Sequence, residues 1–265
     1  MIVVAEEITI TVVGNMITSL TSYPARIATT HLAINSVLEG NYPVDKVILN
    51  LSEQEFKGKE LPSELLQIDK LEINWLTRNT YTFKKVLPIV DKYSDELILG
   101  FDDDIIYPKN FVESYINTYN WYNKKHTISM NFGIEAICPF GRGTLYKPGV
   151  LKDYHYYLTD DIISCKNDDK FIDMYFRANY ELAAPVLNFN QNDLIYMDHP
   201  SGWIVNNNTK RDSSDYMHKQ LLEFTRIAML LRRYREGISL PIVDFDKNVS
   251  FIPMNDALFN YWNNW

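Results

Sequence analysis

The chain has 265 residues, a length that suits one large domain or a domain with a small lobe. Its hydrophobic fraction of 46% is ample for a core that needs no disulfide bonds. The formal net charge of -8 argues against general nucleic-acid binding, because such proteins need a basic surface to displace counterions.

The first part of the chain predicts a strand followed by a helix. The segment "ITITVVGNMITSLTS" is typical of strands interrupted by a turn at Gly14-Asn15. In "YPARIATTHLAINSVLEG" apolar residues recur at helical spacing, and Gly40 is a plausible end of the helix. The apolar residues at this spacing are Ile27, Leu32, Ala33 and Val37.

The next segments continue the alternation of strands and helices. "KVILNLS" and "LEINWLT" predict two strands, and "FKKVLPIVDKY" has helical character that Pro88 should bend or shorten. "ELILGFDDD" then predicts a strand that runs into acidic residues. This order implies a mainly parallel sheet with helices on its faces, and such sheets bind ligands beyond the carboxyl ends of their strands.

The later sequence is less regular. "PKNFVESYINTYNWYNKK" predicts an aromatic-rich helix, and the mixed stretch after it contains the clearest loop, "GRGTLYKPG" at 141–149. A long amphipathic helix is predicted over 213–235, followed by an aromatic tail. No convincing domain boundary interrupts the chain, so we expect a single domain over 1–265.

An acidic triplet follows the apolar run "ELILGF". Residues two apart in a strand point the same way, so Asp102 and Asp104 should share one side while Asp103 faces the other. Two convergent carboxylates suit a hard divalent cation such as Mg²⁺ or Mn²⁺. The alternative is a solvated acidic turn. The position after an apolar strand and before a helix favours the metal site.

These motifs resemble those of nucleotide-sugar-dependent glycosyltransferases of the GT-A fold, in which a DxD motif ends a core strand. "ITSLTSYPARI" looks like their first strand and nucleotide-binding turn. "YTFKKVLPIVDKYSDELILGFDDDIIYP" is similar to the block that leads to the DxD motif in a bacterial branch, and "CKNDDKFIDMYF" looks like their later acidic block. The resemblance covers roughly 16–175. It implies an α/β fold with a Rossmann-like, mainly parallel sheet and a C-terminal helical or irregular extension.

Carried over to this sequence, the resemblance assigns the donor-binding residues. Asp102 and Asp104 would contact the metal, and Asp103 would touch the ribose or orient the diphosphate. Lys85 would face the nucleotide, although its neighbour Lys84 competes for that role. The turn that would receive the nucleoside consists of Thr21, Ser22, Tyr23 and Arg26.

Three of these predictions have ordinary structural alternatives. Arg26 could bond uracil or phosphate through its fork of donors, or it could be a surface arginine at a helix start. His199 could be a third metal ligand, whereas a lone histidine more often makes a structural hydrogen bond. The loop at 141–149 resembles a glycine-containing loop that lines the donor sugar and acceptor, or it is a surface turn.

Transfer to a sugar hydroxyl by inversion also needs a base near that hydroxyl. Asp169 is the preferred candidate and Asp168 the second, both in the later acidic block. The alternative role is helix N-capping, which is compatible with catalysis because a capped helix start is rigid. Asp160 and Asp161 form a rival pair in a tyrosine-rich stretch.

Targeting signals are weak. The start "MIVVAEEITITVV" lacks a basic region, and the apolar runs are too short to span a bilayer, so we expect a cytoplasmic protein.

The basic end "LLRRYREG" of the last predicted helix complements the helix terminus. The alternative is a peripheral contact with an anionic membrane at its inner face, where a lipid-linked acceptor would reside. The aromatic tail is expected to pack on the core.

The leading hypothesis is therefore a metal-dependent glycosyltransferase that uses a nucleotide-sugar, with a UDP-sugar expected, to extend a glycan in bacterial surface polysaccharide synthesis. A nucleotidyltransferase is one alternative, but "TSYPARI" lacks the glycines of a phosphate loop. A non-catalytic glycan- or nucleotide-binding module is the other. The predicted parts are a nucleotide-binding half (1–107), a donor-sugar and acceptor half (108–210), and a C-terminal helix and tail (211–265).

Overall fold

The structure is a computed structural model that describes residues 16–130, 140–164, 166–179, 181 and 183–197. Four sequence-based predictions lie outside these residues: the turn at Gly14-Asn15, the metal ligand His199, the helix over 213–235, and the aromatic tail.

A seven-stranded sheet forms the centre of the described chain, in the order β3-β2-β1-β4-β7-β6-β8. The pairs among β1 to β4 and the pair β6–β8 are parallel, whereas β7 pairs antiparallel with β4 and β6. A small antiparallel pair joins β5 to β9. The strands are β1 Met16–Thr21, β2 Lys46–Ser52, β3 Leu71–Leu76, β4 Leu97–Gly100, β5 Ile105–Ile106, β6 Thr127–Ser129, β7 Thr144–Tyr146, β8 Ala183–Pro185 and β9 Ile195–Tyr196.

Helices connect these strands. The α-helices are α1 Thr30–Leu38, α2 Glu53–Phe56, α3 Ser63–Leu66, α4 Phe111–Trp121, α5 Asp160–Ser164 and α6 Asp168–Ala178. Short 3-10 turns occupy Tyr81–Lys85, Leu87–Ile89, Tyr154–Tyr156 and Gln191–Asp193. In the part of the chain that the structure describes, no helix combines the length and apolar character needed to cross a bilayer.

The central strands of the sheet are buried. Nearly every residue of β1, β2 and β4 is buried, which is typical of parallel strands covered on both faces. The α1 helix packs Ala33, Ile34 and Val37 into this core. Leu32, predicted on the same face, is 41% exposed, because the helix begins at Thr30 and directs that position outward.

Two predicted segments take other forms. The "FKKVLPIVDKY" segment folds as two 3-10 turns, with Pro88 in the first turn of the second, so Pro88 shortens the helical structure as expected. The loop predicted over 141–149 contains strand β7, because Leu145 is buried between neighbouring strands. The predicted α/β class with a mainly parallel sheet flanked by helices is confirmed.

Candidate functional site

The candidate site lies at the carboxyl edge of the parallel strands. Strands β1 and β4 are paired in parallel, so the turn after Thr21 and the segment after Gly100 emerge side by side. Because β4 ends at Gly100, the acidic triplet lies in the following turn rather than in the strand. Strand alternation therefore does not set the directions of its side chains, contrary to the sequence-based argument.

Asp103 ties the two segments together. Its carboxylate accepts a hydrogen bond from Ser22 Oγ at 2.5 Å and one from Arg26 Nη1 at 3.0 Å. Ser22 Oγ also lies 2.9 Å from Thr30 Oγ1 at the start of α1. Burial raises the pKa of Asp103, and Arg26 and Ser22 offset part of this effect. Asp103 thus joins the turn after β1 to the triplet.

Asp104 shares the same arginine. Arg26 Nη1 lies 2.8 Å from Asp104 Oδ2, and the pKa of Asp104 is raised to about 6, first by burial and then by repulsion from Asp102. Burial lowers the pKa of Arg26, but the attraction of Asp103 and Asp104 outweighs it, so the net shift is upward. Arg26 thus contacts two of the three acids of the triplet.

Lys85 connects the triplet to the second acidic cluster. Its Nζ lies 2.8 Å from Asp102 Oδ1, 3.3 Å from Asp168 Oδ2 and 3.8 Å from Asp169 Oδ1. Burial disfavours the charged amine, but the three carboxylates outweigh it and raise the pKa of Lys85 well above its ordinary value. One ammonium group therefore lies between the two acidic clusters that the sequence analysis proposed separately.

Lys84 takes no part in this arrangement. Its ammonium group forms a buried ion pair with Glu55 and donates to Asn79 Oδ1 at 2.9 Å. Burial lowers the pKa of Lys84. Of the two neighbouring lysines, Lys85 is the one that reaches the acidic site, which is the choice made from the sequence.

The second cluster stands at the start of α6. Asp168 and Asp169 occupy the first turn of this helix, where the sequence predicts an acidic helix start. The side chain of Asp168 is 8% exposed and that of Asp169 is 34% exposed. The rival Asp160 is exposed and forms an ion pair with Arg78 instead.

The segment before β7 completes the rim of the site. Arg142 N donates to Asp102 Oδ2 at 3.2 Å, from a backbone with a positive φ of 68°. Tyr107 Oη accepts from Asp102 N at 2.9 Å and donates to Arg142 O at 3.0 Å. Gly143 leaves no room for a Cβ atom, which would meet the rings of Phe111 and Tyr115. The glycine-containing loop is thus pinned to the triplet.

Thr21 and Tyr23, which the sequence analysis placed in the nucleoside-binding turn, contact other parts of the protein. Thr21 Oγ1 donates to Asn50 O at 2.8 Å, so its hydroxyl holds strand β2. The ring of Tyr23 lies 5.5 Å from the guanidinium carbon of Arg26.

The sequence analysis missed Tyr107 and Arg142. A tyrosine three residues after the triplet and an arginine between two glycines were the available signals.

The charges fit a divalent cation. Among the described residues, five carboxylates gather here: Asp102, Asp103, Asp104, Asp168 and Asp169. Two cationic side chains, Arg26 and Lys85, contact acids of this group. The described ranges hold no set of three or more His, Cys, Asp or Glu side chains placed so that they could hold a metal ion by themselves. Asp102 and Asp104 are the two acids that the sequence analysis proposed as ligands of a hard cation.

Comparisons with known proteins give structural similarity only. No protein-family model and no curated protein matches the chain. Three similar solved structures are crystal structures of S. aureus TarS 1-349. The structure in complex with UDP has 12% identity and a TM-score of 0.45, over 66% of this chain and 58% of that chain. TarS alone and TarS with UDP-GlcNAc each have 14% identity over 87% of this chain and 76% of that chain, with TM-scores of 0.47 and 0.49. Similarity at this level assigns no activity.

Proposed function

We propose that the chain is a metal-dependent glycosyltransferase that moves a sugar from a nucleotide-sugar, expected to be a UDP-sugar, to a glycan acceptor. The observation that carries the proposal is the position of Lys85. Its ammonium group contacts Asp102 of the triplet on one side and Asp168 and Asp169 of α6 on the other. A candidate donor-binding acid and a candidate base therefore meet at one ammonium group at the carboxyl edge of a parallel sheet.

The gathering of five carboxylates supports a metal requirement. A nucleoside diphosphate is itself an anion, so this cluster would repel it unless a cation were added. A divalent cation held by Asp102 and Asp104 would neutralise charge on the diphosphate. Lys85 then provides a second positive charge close to the departing phosphate. Arg26 has a supporting role, because it orients Asp103 and Asp104.

His199 remains the candidate for a third ligand. Met197 N donates to Asp104 O at 2.8 Å, which brings the chain next to the triplet. His199 itself lies outside the residues that the structure describes, so this role stays a prediction.

The chemistry assigned to this chain is a single displacement. Asp169 accepts the proton of the acceptor hydroxyl, the hydroxyl oxygen forms a bond to the anomeric carbon, and the bond from that carbon to the diphosphate oxygen breaks with its electron pair. Attack from the side opposite the diphosphate inverts the configuration. Asp169 suits this role better than Asp168, because its side chain is more exposed and lies farther from Lys85.

The turn after β1 argues against nucleotidyl transfer. A phosphate loop presents backbone N–H groups through glycines, and residues 22–26 contain none. The one arginine of this turn, Arg26, is committed to Asp103 and Asp104. The acceptor is expected to be a glycan or lipid-linked glycan, and the cytoplasmic location and membrane contact stay predictions.

A thermal-shift screen of UDP-sugars with and without Mn²⁺ tests the proposal. A ligand at about a hundred times its Kd stabilises the folded state by about 2.7 kcal/mol, which should raise Tm by roughly 5 to 10 °C at this size. We expect this shift only when Mn²⁺ and a nucleotide are both present. Asp102→Asn and Asp104→Asn should each remove this shift, measured against the ligand-free Tm of the same variant.

Asp160→Asn is the matched control, because Asp160 is an exposed acid that contacts none of the site carboxylates in the described structure. It should keep the full shift. A normal shift in both triplet variants would refute the metal site. Stabilisation by nucleotide without any sugar transfer or donor hydrolysis would indicate a binding module instead.

A further inference from the structure

A row of buried polar side chains crosses the parallel strands beneath the 3-10 turn that carries Lys85. Ser19 Oγ donates to the backbone carbonyl of Lys85 at 2.6 Å. Asn50 Nδ2 donates to Ser19 Oγ at 2.9 Å, and Asn74 Nδ2 donates to Asn50 Oδ1 at 2.8 Å. The row thus runs from β3 through β2 and β1 to Lys85.

These polar groups lie where apolar side chains are the usual choice. Ser19 and Asn50 have no exposed surface, and Asn50 interrupts the otherwise apolar "VILNL" of β2. A buried polar group costs stability unless it is hydrogen-bonded, so each one needs its partners. The Asn50 oxygen accepts from Asn74, which directs its nitrogen to Ser19, to Leu20 O at 3.2 Å and to Lys85 O at 3.4 Å.

The row ends at Lys85, whose ammonium group contacts both acidic clusters. We propose that Ser19 and Asn50 are positioning residues that fix the carbonyl of Lys85 and thereby aim its ammonium group between Asp102 and Asp168. The significance for donor binding rests on the proposed function, but the placement of Lys85 does not. A flexible four-carbon side chain holds its ammonium group in one place only if its backbone is fixed.

Strand β4 leaves room for this arrangement. A Cβ atom at Gly100 would lie 3.9 Å from Lys85 Cδ and 2.7 Å from Val86 Cγ2. The turn is thus held by hydrogen bonds from β1 and β2. It also packs closely on Gly100 of β4, the residue paired with Ser19.

The first test measures Lys85 itself, without any nucleotide. Acylation by an N-hydroxysuccinimide ester, read by peptide mass spectrometry, should be slow at Lys85 in the wild type. We expect Ser19→Ala to increase it at least threefold and Asn74→Ala to increase it less, because Asn74 is the outer link of the row. Thr18→Val is the control: it removes an adjacent buried hydroxyl that bonds Lys46 O, and labelling should not change.

Lys84 is the internal control in the same peptide region. An equal increase at Lys84 and Lys85 would show general loosening of the turn and would overturn the proposal. Unchanged labelling of Lys85 in Ser19→Ala would overturn it as well.

The second test measures UDP affinity by calorimetry with Mn²⁺. Losing the hydrogen bond from Ser19 Oγ to the Lys85 carbonyl should weaken binding roughly three- to tenfold in Ser19→Ala. The same substitution in a Lys85→Met background should cause no further loss, because the positioned group is gone. An equal loss in both backgrounds would overturn the proposal. If the wild type binds no UDP but Ser19→Ala still exposes Lys85, the proposed function fails while the positioning role stands.

Discussion

Two adjacent aspartates begin α6, and their surroundings differ. Asp168 is nearly covered and lies 3.3 Å from Lys85 Nζ, whereas Asp169 is one-third exposed and lies 3.8 Å away. A base must reach the acceptor hydroxyl, so the more exposed carboxylate is the better candidate. Asp168 is better placed to hold Lys85. The structural and catalytic interpretations of these acids are therefore compatible. Asp168 fits the structural role better, and Asp169 fits the role of the base better.

Substituting the two residues separately tests this division. Asp169→Asn should keep UDP-sugar affinity within about twofold and lower the transfer rate at least about a hundredfold, the usual contribution of a general base. Asp168→Asn should weaken donor binding and affect transfer less, because it releases Lys85. Binding by calorimetry and transfer by product chromatography give the two values. Undiminished transfer by Asp169→Asn would disqualify Asp169 as the base.

Asp104 makes stability depend on pH in a definite direction. Its pKa is raised to about 6 in the folded protein, so it binds its proton more tightly there than in the unfolded chain. Ionisation of Asp104 therefore costs stability as the pH rises from about 4 to about 6. Asp104→Asn cannot ionise and keeps an oxygen acceptor for Arg26.

Urea unfolding at pH 4, 5, 6 and 7 measures this effect. The free energy of unfolding of Asp104→Asn should increase relative to the wild type between pH 4 and 6, by on the order of 2 kcal/mol, and stay parallel above pH 7. Other groups titrate in both proteins and cancel in the difference. A difference that does not change with pH would show that the Asp104 pKa is ordinary.

At the scale of elements, the 3-10 turn at Tyr81–Lys85 decides which lysine enters the site. With three residues per turn, successive side chains point about 120° apart, so Lys84 and Lys85 cannot face the same way. The turn begins at Tyr81 with a positive φ of 55°, a conformation that apolar periodicity does not reveal. The sequence predicted helical character here, and the resemblance rather than the pattern selected Lys85.

Gly100 should be sensitive to any side chain, because the turn packs against it. A Cβ atom would lie 2.7 Å from Val86 Cγ2. Gly100→Ala should therefore lower the free energy of unfolding by roughly 1 to 3 kcal/mol, as overpacking does. Val86→Ala should restore part of this loss by removing the clashing methyl group.

A double-mutant cycle in urea provides the measurement for Gly100. The double variant should be less destabilised than the sum of the single variants, which is the sign of direct contact. Additive losses would place the strain elsewhere in β4.

At the scale of the whole molecule, one sheet crosses the boundary between the predicted halves. Strand β4 belongs to the first half, and β7, from the second half, pairs with it in antiparallel orientation. Strand β7 in turn pairs with β6, which pairs with β8. The two predicted halves, 1–107 and 108–210, therefore share a sheet, and Lys85 and Asp168 join them again at its edge.

A fragment of residues 1–107 should not fold alone for this reason. The fragment would leave the edge of β4 without its partner strand β7. It would also lack Asp168 and Asp169, the acids of α6 that contact Lys85. We expect no cooperative urea transition by circular dichroism and a tendency to aggregate, with the full chain as control. A reversible, cooperative transition in the fragment would show that the first half is an independent unit.

The sequence predicted the parallel part of this architecture well and the later part poorly. Strands β2 and β4 are mostly apolar and buried, which is typical of parallel strands, and β3 alternates apolar with polar residues. Strand β7 has three residues within a glycine-rich segment, and only pairing with β4 and β6 makes it a strand. Likewise, the contacts of Arg26 with Asp103 and Asp104 join residues 77 and 78 positions apart, which no local pattern encodes.

Arg26 and Lys85 also affect the protein before any ligand arrives. They act as counter-ions among acids that would otherwise repel one another. The folded chain therefore already holds these acids together. Binding then becomes an exchange of partners within a preformed set of charges, and the entropy of ordering those acids has already been spent in folding.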